Sequence, residues 1–242
     1  MGLFNILSPV FTLLDDIAAT ALPAPIRIAL WAGLLAIGTM LLYKFLSPQK
    51  RIGQAKRQAR EARRRLNRFD GEFADAGPLI RDQFVTAFRH IGLVIPGTFI
   101  AILPLLCFLV WADNHYGHDL PPAGQSPGLA TVPADVRGVE IDWRSQSRPP
   151  MVHVSSATND SNISYPMTAP VTVIAQYSAW NWLVGNPLGY LPDDSPIDAV
   201  LIDLPEHEYF HFGPQWMRGW FAVFIPVMFI VSLLMFKWAK IE

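Results

Sequence analysis

The pentapeptide His207-Glu208-Tyr209-Phe210-His211 has the form H-E-x-x-H. On a helix, His207 and His211 would share one face at i, i+4 and hold a zinc ion, with Glu208 as the general base for its water. The flanks argue against a helix: Pro205 precedes the motif and Gly213-Pro214 follows it, leaving barely two turns. Glu206, Glu208, Phe210 and Phe212 also alternate with His207, Tyr209 and His211, as in an extended segment. A third ligand would come from His115, His118, His153 or a carboxylate, and spacing selects none of them. His115 and His118 flank Gly117 in a spacing that suits a turn better than a chelate. The motif therefore reads as structural, and no catalytic residue, metal or cofactor is expected.

The second pattern is basic. Lys44, Lys50, Arg51, Lys56, Arg57, Arg60, Arg63, Arg64, Arg65, Arg68, Arg81 and Arg89 make 12 of the chain's 19 Lys+Arg. Against them stand five acids, Glu61, Asp70, Glu72, Asp75 and Asp82. Ile52, Ala55, Ala59, Ala62, Leu66 and Phe69 recur three and four apart, a helical seam with Lys56, Arg57, Arg60, Arg63, Arg64, Arg65 and Arg68 off it. Beyond Asp70-Gly71, with Gly77-Pro78 as a second breaker, Phe73, Ala76, Ile80, Phe84, Ala87 and Ile91 form a second stripe. Facing stripes with a turn between them predict an antiparallel coiled-coil hairpin; the alternative is one basic helix lying along anionic headgroups. Those seven cations are the candidate contacts for lipid phosphates, a ribosome or a client chain. Aromatic residues for stacking on bases are not interleaved with them, so no sequence-specific nucleic-acid contact is expected.

The elements that position this arm are apolar. Of 242 residues 51% are hydrophobic and 16% charged, where a soluble domain carries about 25% charged residues. Residues 26–46, 90–111 and 217–237 predict three transmembrane helices. The arm fills 47–89, and its Lys/Arg bias puts it on the cytoplasmic side with the 238–242 tail. Thr39, Pro96, Thr98 and Pro104 are the candidates for a polar, kinked groove within the membrane. Cys107 is the only cysteine, so no disulfide framework arises.

Residues 1–25 predict an amphipathic interfacial helix, with Leu3, Leu7, Val10, Leu14 and Ile17 on one face and Asn5, Ser8, Thr12, Asp15 and Asp16 mostly on the other. Its acidity favours the outer side. Residues 112–216 predict an extracytoplasmic, β-rich domain with twelve acids and three arginines between Asp113 and Trp216. Its strand candidates are Gly138–Trp143, Met151–Ser155, Val171–Gln176 and Ala199–Leu204. A Pro/Gly-rich loop covers Asp119–Pro133, and Asn159-Asp160-Ser161-Asn162 reads as a turn. The fold class is thus a mainly α membrane protein with a cytoplasmic basic hairpin and an outer β-containing domain. Its N-terminus is out and its C-terminus in, in a bacterial-type inner membrane.

An outer N-terminus, a first span, a basic hairpin over Gln49–Phe88, a Pro-containing second span and a later third span resemble the Oxa1 superfamily of membrane-protein insertases. The likeness is closest to its short three-span members, the DUF106 proteins and their eukaryotic relatives. It implies a non-covalent insertase or assembly factor, with lipid, client membrane proteins and the ribosome as partners. Two features depart from the pattern. No Lys or Arg lies within a span, Arg27 and Arg89 standing only at edges, and the outer domain is large. A subunit of a larger membrane complex is the alternative, and a zinc peptidase using His207, Glu208 and His211 is the third reading.

Overall fold

The computed structural model describes residues 2–134, 136–157 and 161–239. Met1–Ile28 with Leu106–Phe224 form one compact unit, and Ala29–Leu105 with Ile225–Glu242 a second. The helices are α1 (Ser8–Ala19), α2 (Ala24–Leu46), α3 (Gln49–Asn67), α4 (Gly77–Tyr116) and α5 (Phe221–Ala239). Three of them, α2, α4 and α5 as far as Trp238, are long and apolar enough to cross a membrane. At 1.5 Å per residue, the 40 residues of α4 run about 60 Å, twice the hydrocarbon thickness of about 30 Å. The return arm of the predicted hairpin and the second span are therefore one unbroken helix, with Pro96 and Pro104 inside it.

In the second unit the seam of α3 is on the inside. Ile52, Ala55 and Ala62 are buried, Ala59 and Leu66 half-buried, and Phe69 at the tip is exposed. Arg51, Gln54 and Gln58 share a cleft with Arg89 and Leu93; Lys56, Ala59, Arg60 and Arg63 share another with Gln83, Ala87 and His90. Rising numbers in α3 meet falling numbers in α4, so the two helices run antiparallel. Alanines allow a close approach, and at Gly97 a Cβ would collide with the buried Ser47 hydroxyl. The second stripe is only partly where its spacing puts it. Ala76 is buried, but Phe84 and Ile91 are 59% and 48% exposed. Phe84 instead stacks along its own helix on Phe88, ring centroids 6.4 Å apart. Gln83, Ala87 and His90 of α4 line the cleft with Ala59 instead. The side chain of Phe73 lies outside those described.

In the first unit the strands are β1 (Gly128–Val132), β2 (Val139–Arg144), β3 (Met151–Ser156), β4 (Ser161–Pro166), β5 (Val173–Ala175) and β6 (Ala199–Asp203). They make two antiparallel three-stranded sheets, ordered β1-β6-β5 and β2-β3-β4. Alternation sends Trp143, Val152, Val154 and Tyr165 from one sheet, and Ile174, Val200 and Ile202 from the other, into a shared core with Met167, Leu191 and Ile197. Two expectations are corrected. Gly128–Val132, read as loop, pairs with β6 from Gly128↔Asp203 to Val132↔Ala199. Ser161 and Asn162, read as turn, open β4 and pair with Ser156 and Ser155. Both strands are short and end at a proline or glycine, and a strand partner supplies the order that their composition does not. Asn159 and Asp160 lie outside the described residues.

Candidate functional site

Two polar clusters stand out, one in each unit. In the second, Arg57, Arg60, Arg63, Arg64, Arg65 and Arg68 are exposed along α3, with Lys56 half-buried at the cleft. Among the described residues no carboxylate forms an ion pair with these six arginines. Arg64 and Arg65 sit in the last turn of α3, where positive charge meets the negative end of the helix dipole. That offsets part of their mutual repulsion. The result is a row of exposed cations on a helix whose apolar seam is turned inward.

In the first unit the centre is Asp15, whose side chain is fully buried. Its Oδ2 accepts a hydrogen bond from the Arg27 guanidinium, at the start of α2, and lies 3.0 Å from His115 Nε2, near the end of α4. Oδ1 accepts from the Tyr116 hydroxyl. The Arg27 guanidinium also sits 5.6 Å from the centre of the Tyr116 ring, and His115 stacks on Trp111 at 4.6 Å. Trp111 Nε1 donates to Thr12 Oγ1 at 2.9 Å. At the N-terminus the Asn5 amide exchanges two 3.2 Å bonds with the backbone of Gly185, and the Phe4 N–H donates to Leu183. The packed face of α1 thus carries Thr12 and Asp15 beside the buried Phe11. Asp15 does not display its charge to solvent, which leaves Asp16 as the exposed acid of this helix. A carboxylate so enclosed fastens three segments together; it has no access to a substrate.

The H-E-x-x-H residues belong to the same surroundings and are not helical. Asp119 N–H donates to the Pro205 carbonyl and His207 N–H to that of Gly117, which ties the segment to the chain leaving α4. His207 Nδ1 lies 2.8 Å from Asp119 Oδ2. Glu208 accepts from Arg218 at 3.2 Å, and the His211 side chain is 90% exposed. His207 and His211 therefore do not share a helical face. His153 bonds Ser164 across β3 and β4, and the backbone of His118 bridges to Glu206. Among the described residues no three His, Cys, Asp or Glu side chains are grouped as a metal site. Tyr209 donates to the Tyr116 carbonyl at 3.2 Å. Burial pushes its phenol above the usual tyrosine range, and the Asp119 charge adds to this while Arg27 opposes it.

Of the groove candidates, Thr39 donates to the Leu35 carbonyl and Thr98 to that of Val94, so each hydroxyl proton is used inside its own helix. Pro96 is exposed and Pro104 half-buried. Sequence reading missed Asp15, Tyr116 and Trp111 as a cluster. The available signals were an acid within an apolar run and a lone arginine opening a span. Set against family models, curated proteins and solved structures, the chain has no significant match.

Proposed function

We propose that the protein is an integral membrane assembly factor of the Oxa1-like insertase type, acting without covalent chemistry. The observation that carries this reading is the row of six arginines, unpaired with any described carboxylate, on a helix that the chain leaves and enters through membrane-length helices. The coiled-coil arm recruits a ribosome, a nascent chain or lipid phosphate on the cytoplasmic side, and the apolar helices offer the client a hydrophobic slide. By the bias of Lys/Arg to untranslocated loops, the arm and the C-terminus are inside. The N-terminus and the β-containing domain are then outside, periplasmic in a bacterial inner membrane. Polarity within the spans is slight, since Arg27 is committed to Asp15 and the threonines to their own helices. The clients are accordingly expected to be apolar segments with short outer loops.

Depletion of the protein tests this. Loss of a newly made membrane protein, restored by the wild-type chain, is expected. Stoichiometric co-purification with one large complex, without any insertion defect, would make it an accessory subunit instead.

A further inference from the structure

The outward face of α1 and the turn before it is apolar, with the exposed Asp16 at its edge. Leu3, Ile6, Val10, Leu13, Leu14 and Ile17 are 41–64% exposed, while Asn5, Thr12 and Asp15 are bonded inside. Rotating the helix to hide the leucines would break those bonds, so the face needs a covering from outside. Three observations identify it. Only residues 20–23 separate α1 from α2, a helix long and apolar enough to cross a membrane. Asp15 holds Arg27 in the first turn of α2 and Tyr116 at the last residue of α4, so α1 lies at the ends of two such helices. The Ala179–Trp182 turn beside its N-terminus exposes Trp180 and Trp182 by 76% and 55%, the residue type that favours the headgroup level. Residues 1–26 contain no Lys or Arg, so charge attraction to an anionic surface plays no part.

We infer that α1 is an in-plane membrane anchor, its outward face sunk among the lipid acyl chains at the end of the spans where the β-containing domain lies. This goes beyond the assembly role and does not depend on it. The polar face binds the protein and the apolar face binds lipid, so the helix couples the domain to the depth of the bilayer.

The test uses the full chain with Cys107→Ala and one new cysteine at a time, Ile6→Cys, Leu13→Cys or Ile17→Cys, spin-labelled in phosphatidylcholine vesicles. Glu140→Cys, on the exposed face of β2, is the water reference. Collisions with oxygen should exceed those with a water-soluble nickel chelate at positions 6, 13 and 17, and the order should reverse at 140. A water-like ratio at all three positions would overturn the inference. So would suppression of both collision rates, or broadening between labels, because a protein partner or a second copy would then cover the face. The three positions span the helix, so a disturbance at one leaves the other two to decide.

Discussion

Two amphipathic helices, α1 and α3, are folded in opposite senses. In α3 the apolar residues Ile52, Ala55 and Ala62 are inside and the arginines outside, as in a soluble protein. In α1 and the turn before it most apolar residues are outside, whereas Asn5, Thr12 and Asp15 face inward, each with a partner, beside the one buried aromatic, Phe11. Periodicity defines two faces but does not say which is buried; the solvent decides. Water rewards an exposed arginine and penalises an exposed leucine, whereas acyl chains reverse the order. A polar face turned inward is tolerated only where every group finds a bond, because an unpaired buried polar group costs about 1–3 kcal/mol.

The largest effect expected from this contrast is at Asp15. Asp15→Asn leaves Arg27 with no counter-charge in a nearly closed site, a change that costs about 3–5 kcal/mol for a buried pair. Arg27→Met should cost a similar amount, and Asp15→Leu with Arg27→Met should recover only part of it, because the Tyr116 hydroxyl and His115 still lose their acceptor. Heating the purified protein in mild detergent measures this; wild-type unfolding of Asp15→Asn would mean that the polar face of α1 is not packed. The converse change in α3, Ala55→Glu with Ala62→Glu, puts carboxylates into the seam at about 1–3 kcal/mol each. Tryptic cleavage within the arm should then accelerate while the rest of the chain stays intact. Unchanged cleavage would place the seam in solvent.

A smaller effect concerns pH. The Tyr209 and Tyr165 phenols are both raised by burial, so the folded chain keeps their protons at pH values where the unfolded chain loses them. Their contribution is complete below the ordinary tyrosine pKa of about 10 and falls as pH rises above it. Tyr209→Phe should flatten the loss of stability between pH 9 and 11 by the share of one proton, read by unfolding at each pH. An unaltered slope would mean that the phenol is solvated.

Much of this was legible beforehand. The membrane-length helices follow from apolar runs, the seam of α3 from its spacing, β2 and β3 from alternation of Val, Ile and Trp with polar residues, and β6 from a short apolar run. Each is a local pattern. The Asp15 cluster was hidden because its members are 12, 100 and 101 residues apart, and only tertiary folding brings them within bonding distance. Phe84 and Ile91 misled for a related reason: spacing grouped them in one stripe, but spacing alone does not say which face of α4 turns to α3. The strands β1 and β4 depend on partners that a single segment does not reveal.

The working surface of the arm is tested most directly by one salt series. Full-length protein in neutral nanodiscs is titrated with phosphatidylglycerol vesicles, as wild type and with Arg57, Arg60, Arg63, Arg64, Arg65 and Arg68 changed to Gln. Gln has nearly the helix propensity of Arg, so α3 should persist. Each cation lost near an anionic surface is worth about 1 kcal/mol, and screening over a Debye length of about 8–10 Å sets the salt dependence. Wild type should bind at low salt and release steeply as salt rises, while the six-Gln variant binds far more weakly with a nearly flat response. Equal affinity and equal salt slope for the two proteins would contradict an outward-working arm and leave α3 as a strut between the helices it joins.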